Sequence, residues 1–441
     1  MATTVSTTRY GRSRALFAES QQYLAGGNSR LTVFFQPHPL FMERGSGARI
    51  YDVDGNEYLD IINNYTSLIH GHAQPEVVEA AVGAVRSGTA FAAPTPPEVG
   101  LGKLICERIP AVERVRFVNS GTEAVMMAVK AARAYTGKPA IAKFEGAYHG
   151  AYDFVEVSLA SAPQNWGAAS LPVSTRYAAG QPQSVLDEVV ALPFNQLDRT
   201  LDLLRRNQER LAAVLVDAMP SRVGLIPGSE AFLQGLQSEC RALGILLILD
   251  EVISLRLGYH GAQGELGLEP DLTTMAKIIG GGFPVGAVGG KEAVMSVFDP
   301  TTGKPALPHG GTFNANPVTM AAGLRAMELM TPEEFDRINA LGEQARRGLA
   351  DVVRLLEVDW QVTGAGSLFK LVPSTEPLSD YRSAFVTPEQ AARIHALHWA
   401  LLDRGIFMGH DALGCISTPM TEADVEQIIH AVEAALRQVE E

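Results

Sequence analysis

Residues 245–252 read ILLILDEV, an unbroken apolar run that ends in two acids. A short run without alternation is typical of a strand that is buried on both faces of a parallel sheet. In open α/β sheets, ligands bind beyond the carboxyl ends of such strands. The run therefore predicts a central strand and puts Asp250 beside a ligand site. Taken alone, Asp250 could equally be a helix cap or a surface acid that follows a strand.

Similar elements flank this strand on both sides, from about residue 75 onward. Short β-rich runs and helical periods alternate there, at 77–85, 100–108, 115–118, 140–144 and 213–216. Such alternation indicates an α/β domain with a mostly parallel sheet. We predict a large domain over 75–325 and a smaller α+β domain over 326–441, which packs with an N-terminal segment over 1–74.

The ends of the chain carry more local signals. We predict a helix near 15–24 and a hairpin over 49–60, where two alternating runs surround Asp54-Gly55. The Pro-rich stretch 34–40 reads as a loop. A capping-type start at 331–334 opens the helical C-terminal part.

Composition limits the classes of partner and compartment. The 441 residues include 36 Lys and Arg against 49 Asp and Glu, a net charge of −13, which argues against nucleic acid as a partner. The three cysteines, Cys106, Cys240 and Cys415, show no C-x-x-C spacing, so we expect neither a disulfide framework nor a metal site. Neither a membrane span of ~20 apolar residues nor a signal peptide is evident, so we expect a cytoplasmic protein without a membrane partner.

Lys277 ends a second β-like run and precedes three glycines, Gly280, Gly281 and Gly282. A lysine at a strand end, followed by backbone that can approach a ligand closely, suits a Schiff base with an aldehyde cofactor. Seen alone, this residue would more often be a surface lysine. The glycines do not follow the dinucleotide pattern G-x-G-x-x-G, and the chain has no G-K-[ST] phosphate loop.

Residues 114–137 read as a strand, a turn at Asn119-Ser120-Gly121, and a helix that begins near Thr122. Ser120 and Glu123 have capping-box spacing, and a helix amino end with free N–H groups favours a phosphate. A plain capped helix is the alternative. In the loop 144–150, Tyr148 could stack on a planar ring or simply be packing.

Together these motifs resemble the class III aminotransferases, in particular the branch of glutamate-1-semialdehyde aminomutase and the β-amino-acid transaminases. The resemblance runs from about residue 23 to 439. It is carried by YDVDGNEYLD (51–60), GHAQPE (71–76), FVNSGTEAVMMAVKAAR (117–133), FEGAYHG (144–150), LILDEV (247–252), the block around Lys277, and GGTFNANPVTMAA (310–322).

This resemblance implies a fold type I transferase that uses pyridoxal 5′-phosphate (PLP) and forms a homodimer with shared active sites. It implies that Lys277 binds the cofactor aldehyde and then moves protons, and that Asp250 pairs with the pyridinium nitrogen. The other implied cofactor contacts are Tyr148 and Val252 on the ring faces (Tyr148 also counted as catalytic), His149 beside them, Ser120, Gly121 and Thr122 at the phosphate, and Thr312 at the phosphate of the neighbouring subunit.

Two positions depart from the family. Asp217-Ala218 stands where a Glu-Pro pair is usual, which puts any function of that pair in doubt. After Ile406 the chain lacks an arginine that some β-amino-acid transaminases carry, and Asp411 appears there. This change weakens an expectation of broad amino-acid substrates.

The stretch 26–40 resembles β-amino-acid transaminases more than aminomutases, so we favour a transaminase. It would move an amino group from an amine or β-amino acid to a keto acid such as 2-oxoglutarate or pyruvate. Arg30 would bind the substrate carboxylate, because a guanidinium pairs bidentately with it. Phe34, Phe35 and Tyr65 would shape an apolar pocket. A structural salt bridge for Arg30, and core packing for the two phenylalanines, are the alternatives.

Three other functions stay open at this point. The first is glutamate-1-semialdehyde 2,1-aminomutase, an isomerase with the same cofactor. The second is a binding protein that keeps the fold without the chemistry, against which intact Lys277 and Asp250 speak. The third is a dinucleotide-dependent dehydrogenase, which predicts a nicotinamide cofactor and no visible absorbance.

Overall fold

The computed structural model of the protein describes residues 9–440. Its α-helices are α1 (Gly11–Ser20), α2 (Asn63–Thr66), α3 (Pro75–Ser87), α4 (Pro96–Arg108), α5 (Gly121–Thr136), α6 (Asp153–Glu156), α7 (Gln183–Asp187), α8 (Leu197–Asn207), α9 (Glu230–Leu243), α10 (Gly261–Leu266), α11 (Glu292–Met295), α12 (Pro317–Leu329), α13 (Pro332–Leu356), α14 (Pro388–Asp403) and α15 (Glu422–Glu440).

Its strands fall into four sheets. They are β1 (Met42–Ser46), β2 (Arg49–Asp52), β3 (Glu57–Asp60), β4 (Arg114–Val118), β5 (Ala140–Phe144), β6 (Gly167–Ala168), β7 (Leu171–Pro172), β8 (Val189–Leu192), β9 (Leu211–Val216), β10 (Leu246–Asp250), β11 (Leu272–Ala276), β12 (Gly286–Gly290), β13 (Gln361–Thr363), β14 (Leu368–Val372), β15 (Ile406–Phe407) and β16 (Leu413–Cys415).

The chain divides into two compact units. Unit 1 comprises the described residues up to Gln74, then Arg337–Thr375, and the described residues from Val386 onward. Unit 2 comprises Pro75–Asp336 and the short segment Glu376–Phe385. The second boundary therefore falls within α13, and a piece of the C-terminal sequence returns to unit 2.

Unit 2 contains a seven-stranded sheet in the order β4-β12-β11-β10-β9-β5-β8. Strands β11, β10, β9, β5 and β8 pair in parallel, whereas β12 runs antiparallel to both β11 and β4. Since β4 and β11 are both antiparallel to β12, every strand except β12 ends at the same edge. The predicted α/β architecture with a mostly parallel sheet is confirmed.

The central strands of this sheet are apolar on both faces. On β10, Ile248 joins the core cluster beneath α5, while Leu247 and Leu249 join the cluster beneath α9. Helices thus cover both faces, which explains why residues 245–249 show no alternation of polar and apolar side chains. The core holds the strand ends rigidly, and with them the polar side chains that follow each strand.

Unit 1 is built on two small sheets, in the orders β1-β2-β3-β15 and β13-β14-β16. The predicted hairpin is confirmed, because β2 and β3 pair in an antiparallel register. An aromatic cluster that includes Tyr10, Phe35, Tyr58 and Trp399 forms part of the core of this unit.

The first helix begins earlier than the sequence predicted. Helix α1 covers Gly11–Ser20 instead of residues near 15–24. Its amino end is capped from a distance, since the Asp54 carboxylate accepts hydrogen bonds from the N–H groups of Arg12 (2.6 Å) and Ser13 (2.9 Å). No local residue carries this signal, because the capping carboxylate lies in the turn of the hairpin.

Candidate active site

The common edge of the seven-stranded sheet gathers most of the residues that the sequence singled out in unit 2. The turn before α5 follows β4, Lys277 follows β11, and Asp250 ends β10. The loop with Tyr148 and His149 follows β5. These residues therefore lie at the carboxyl ends of strands, which is where open α/β sheets bind ligands.

Ser120 forms the cap of α5. Its Oγ accepts a hydrogen bond from the N–H of Glu123 at 3.1 Å, as the sequence predicted. The other half of the capping box differs, because the Glu123 carboxylate accepts from the N–H of Asn119 at 2.8 Å and not from Ser120. The helix therefore begins at Gly121 with its first N–H groups directed at the sheet edge, an arrangement that favours an anion.

Two glycines keep this turn open. A Cβ on Gly121 would lie 3.3 Å from Val252 and 3.4 Å from Ala276, tighter than ordinary contact. A Cβ on Gly150, which has φ +94°, would lie 2.5 Å from the Thr122 hydroxyl. That hydroxyl accepts a hydrogen bond from the N–H of Ala151 at 3.1 Å. The glycines let strand ends and loop approach the helix start closely, so the backbone can surround a small ligand.

Asp250 is buried, with 3% of its surface exposed. Its Oδ1 accepts from the N–H of Val252 (3.0 Å) and from the hydroxyl of Thr274 (3.1 Å), and its Oδ2 lies 2.6 Å from His149 Nδ1. Three partners therefore hold the Asp250 carboxyl group in one orientation at the centre of the edge.

His149 is fully packed behind this carboxylate. Burial lowers the pKa of His149, against the opposing influence of Asp250, so the imidazole is neutral at pH 7. Because its partner is a carboxylate, Nδ1 must carry the proton and donate it, and Nε2 is then a lone pair. Nε2 is buried, and the described residues offer it no hydrogen-bond partner. His149 thus orients Asp250, a role that the sequence could not assign.

Lys277 stands at the end of β11 in a left-handed backbone conformation, with φ +53°. This conformation is uncommon for a residue with a side chain, and such strain concentrates at functional positions. Gly281 and Gly282, with φ +58° and +94°, continue the turn after it. The side chain is partly buried. Holding the Lys277 amine at this edge therefore costs conformational energy.

Tyr148 and Val252 occupy the same edge with different exposure. Tyr148 is 51% exposed, and burial of its phenol raises its pKa. Val252 is partly buried, and its side chain lies next to Gly121. Tyr148 and Val252 therefore both lie at this edge, and their stacking roles stay predictions.

Thr312 lies in an exposed loop, which is tied to the turn before α5. Asn119 Nδ2 donates to Asn314 Oδ1 at 2.8 Å, and Arg116 Nε donates to His309 Nδ1 at 2.8 Å. The loop is therefore attached to β4 and to the turn that follows it, while Thr312 at its tip is exposed. Its contact with a neighbouring subunit stays a prediction.

Arg30 and Tyr65 lie together in unit 1. Arg30 Nη1 donates to Asn64 Oδ1 at 2.9 Å, and its guanidinium stands over the Tyr65 ring at 5.7 Å. No carboxylate of the described chain lies within ion-pair distance of Arg30, so the salt-bridge alternative finds no support. The Tyr65 hydroxyl contacts Thr32 O and His410 Nδ1, the latter at 3.0 Å.

The segment α2, which carries Asn64 and Tyr65, is a single left-handed turn and not a regular right-handed helix. Four consecutive residues without glycine, Asn63 to Thr66, have φ between +48° and +72°. Such a left-handed turn costs roughly 1–2 kcal/mol per residue, less for asparagine. The surrounding structure offsets this cost, in part because the Asp60 carboxylate accepts from the N–H groups of Ile62 and Asn63. Strain of this size marks the turn as a functional candidate.

The two phenylalanines separate. Phe35 is 7% exposed and packs against His398 and Trp399, with ring centroids 4.5 and 5.5 Å apart. This placement makes Phe35 part of the core of unit 1 and corrects the expectation that it lines a pocket. Phe34 is partly buried against Phe17 at 6.0 Å and retains one open side.

The two departures from the family also have defined surroundings. Asp411 pairs with Lys370 at 3.2 Å, and although burial opposes it, the charges of Lys370 and His410 lower the pKa of Asp411. Asp411 is therefore a paired anion. Asp217 follows β9 at the same edge as Asp250 and is 5% exposed. Its burial beside that carboxylate was not foreseen from the sequence.

Thr274 is a site residue that sequence reasoning missed. Thr274, which donates to Asp250, lies opposite it in the register of β10 and β11. A hydroxyl pair just before the candidate lysine, at 273–274, was the available signal. The described residues contain no helix long and apolar enough to cross a membrane, and no group of three or more metal-binding side chains.

These residues fit a phosphorylated aldehyde cofactor with a basic ring nitrogen. The start of α5 suits the phosphate, the buried and triply hydrogen-bonded Asp250 suits a protonated ring nitrogen, and the amine of Lys277 suits the aldehyde. Gly121 and Gly150 let Val252 and Thr122 approach this turn more closely than a side chain would allow.

Comparison with known proteins gives the same answer. The family model described as aminotransferase class-III matches residues 34–405. A glutamate-1-semialdehyde 2,1-aminomutase 2 from Geobacillus thermodenitrificans is 38% identical over 430 residues, which are 96% of this chain and 97% of that protein.

Two similar solved structures are transaminases. An omega-transaminase from Sphaerobacter thermophilus has 53% sequence identity and a TM-score of 0.96, with 99% of this chain and 100% of that chain covered. A β-phenylalanine aminotransferase from Variovorax paradoxus has 34% identity and a TM-score of 0.89, with 98% and 95% covered. The predicted family, fold type and PLP cofactor are therefore confirmed. The chain belongs to the class III aminotransferases, which are PLP-dependent enzymes.

Proposed function

We propose that the protein is a transaminase that moves an amino group from an amine or β-amino acid to a keto acid such as 2-oxoglutarate or pyruvate. The observation that carries the proposal is the uncompensated charge of Arg30, which is held by a neutral amide and a ring and has no acidic partner among the described residues. A guanidinium in this state binds a substrate carboxylate without first breaking an ion pair. The 53% identity with an omega-transaminase supports the same reaction class.

In this proposal the residues of the sheet edge handle the reacting centre. The bound cofactor supplies an aldehyde for amines and a ring that accepts the electron pair released at the substrate carbon. Lys277 Nζ would hold the cofactor aldehyde and would carry the proton to and from the substrate carbon. Asp250 would face the ring nitrogen, and His149 and Thr274 keep that carboxylate oriented.

The remaining contacts complete the proposal. The N–H groups of Ser120, Gly121 and Thr122, with the hydroxyls of Ser120 and Thr122, would hold the phosphate, and Tyr148 and Val252 would cover the ring faces. In unit 1, Tyr65 and Phe34 border the apolar arm of the substrate beside Arg30.

A second copy of the chain is part of the proposal. Thr312 belongs to an exposed loop and would reach the phosphate of the partner subunit. Exposed apolar side chains of unit 2 support an interface with a second copy, which would cover them. Phe313, Phe91 and Val99 are 60%, 53% and 69% exposed. Sedimentation velocity on the cofactor-loaded protein should give twice the monomer mass, and a monomer at micromolar concentration would contradict it. The cytoplasmic location stays a prediction from the sequence.

The aminomutase alternative is favoured by the relatives of that name at 38% identity. Purified protein should be incubated with β-phenylalanine or 1-phenylethylamine plus 2-oxoglutarate, and separately with glutamate-1-semialdehyde alone. The proposal expects turnover that requires the keto acid. Turnover of the semialdehyde alone, without an external acceptor, would replace the transaminase by the isomerase. Borohydride reduction followed by peptide mass analysis should locate the cofactor on Lys277.

A further inference from the structure

Asp217 is a second buried acid at the sheet edge, and the proposed chemistry does not use it. It follows β9 directly, as Asp250 ends β10, and the two strands pair in parallel with Val216 opposite Leu249. The next residues along, Asp217 and Asp250, are therefore side by side at the same edge. Asp217 is 5% exposed and Asp250 is 3% exposed. Two neighbouring carboxyl groups in such a place cannot both carry charge cheaply.

The hydrogen bonds of the two acids are unequal. Asp250 receives bonds from Val252, Thr274 and His149. Among the described residues, Asp217 receives one hydrogen bond, from the N–H of Met219 at 2.8 Å. Because donors stabilise the ionised form, the charge belongs on Asp250 and the proton on its neighbour.

We propose that Asp217 holds a proton in the folded protein at neutral pH, so that Asp250 is the charged member of this carboxyl pair. The inference rests on the proposed function in one respect, namely that Asp250 faces the ring nitrogen of the cofactor. Asp217 is then a positioning residue, because it keeps negative charge concentrated where the ring nitrogen needs it and away from Lys277.

The charges around Asp217 agree with this assignment. Burial first, and then the negative charge of Asp250, raise the pKa of Asp217; Glu251 adds to this effect, while Lys277 and the Met219 N–H oppose it. Glu251 is itself buried, and burial raises its pKa, although its carboxylate accepts from Ser254, Ala262 and Gln263. Asp217, Asp250 and Glu251 thus place three buried acids close together at this edge.

The first test uses the full-length protein without cofactor and measures Tm from pH 4 to pH 9 for wild type and Asp217→Asn. A carboxyl whose folded pKa is raised stabilises the fold below its unfolded pKa of about 3.9, and that contribution is lost as the pH rises toward the folded value. The wild type should therefore lose about 3 °C relative to Asp217→Asn between pH 4 and pH 8. The exposed Asp198→Asn is the control and should show no such loss. A difference between wild type and Asp217→Asn that does not change with pH would overturn the proposal.

The second test uses the cofactor-loaded protein and the pH titration of its visible absorption band, which reports the proton on the nitrogen that joins Lys277 to the cofactor. Asparagine copies a protonated carboxyl, so Asp217→Asn should leave the titration midpoint within about 0.3 pH of wild type. If Asp217 were an anion, its removal would lower the midpoint by about one unit or more, which would contradict the proposal. Absence of any visible band in the wild type would instead remove the proposed function, so the two failures are distinguishable.

Discussion

The sheet edge of unit 2 and the turn Asn63 to Thr66 of unit 1 hold their functional side chains by different means. At the sheet edge, neighbouring strands end at the same level, and Asp250 accepts three hydrogen bonds from its partners. In unit 1, a strained left-handed turn and one amide hold the exposed Arg30. Chemistry common to a whole family can rest on rigid strand ends, whereas the recognition of a particular substrate can rest on loops that tolerate change.

The largest effect should come from the rigid region. Lys277→Ala removes the amine that binds the cofactor and moves the proton, so we expect the transamination rate to fall by about 10⁴-fold or more. The measurement is the rate of keto-acid-dependent amine consumption together with the visible band of the cofactor.

Lys291→Ala is the matched control for this change. Lys291 follows β12 of the same sheet and pairs with Asp271 at 2.7 Å, partly exposed to solvent. Its loss should cost about 1 kcal/mol of stability or less and leave the rate near wild type. If Lys277→Ala and Lys291→Ala behaved alike, the contrast between the sheet edge and the rest of unit 2 would disappear.

A smaller and more selective effect is expected from the turn region. Arg30→Ala should raise KM for β-amino acids by about 10- to 100-fold, because a charge-assisted pair is lost, while simple amines such as 1-phenylethylamine keep their KM. Steady-state kinetics with both donor classes would measure this split. Arg14→Ala, an exposed arginine on α1, serves as the control. An unchanged KM for the acids would remove Arg30 from substrate binding.

The smallest effects should come from Asn64. This residue lies in the strained turn, and its side-chain oxygen accepts the hydrogen bond of the Arg30 guanidinium. Asn64→Ala places a side chain with little tolerance for φ +48° in the turn and should destabilise the protein by about 1 kcal/mol. Asn64→Gly accepts this backbone and should stay near wild-type stability in urea unfolding.

Both Asn64 variants lose the acceptor of Arg30 and should raise KM for acidic donors about 2- to 5-fold. Equal stability of the two variants would show that the turn is not strained. If KM rose only in the less stable variant, Asn64→Ala, the loss of the amide would not be the cause, and Asn64 would have no role in substrate binding.

Much of unit 2 was predictable because its signals are local. The run 245–249 could only be a doubly covered strand once helical periods appeared on both sides of it. The spacing of Ser120 and Glu123 predicted a helix start at their own position. The start is there, although the Glu123 carboxylate accepts its hydrogen bond from the N–H of Asn119. Asp250 and Lys277 followed apolar runs, so the parallel order of the strands was enough to bring them to one edge.

Other features depend on contacts between distant segments. Helix α1 begins earlier than predicted because the distant Asp54 caps it, and Phe35 is buried because it packs against Trp399. Nothing in the sequence pattern indicated that residues 376–385 return to unit 2, or that Asp60 would support a left-handed turn.

By itself the sequence determined the class of fold and the residue types available at each strand end, because periodicity and motif spacing are properties of short segments. Its resemblance to the class III aminotransferases implied the family and the cofactor. The tertiary structure alone decided that His149 and Thr274 hold Asp250, that Arg30 has no acidic partner among residues 9–440, and that Asp217 is buried beside a second carboxyl group. Burial and hydrogen bonding are set by residues that are far apart along the chain, and the pKa of a group follows from that environment and not from its neighbours in sequence.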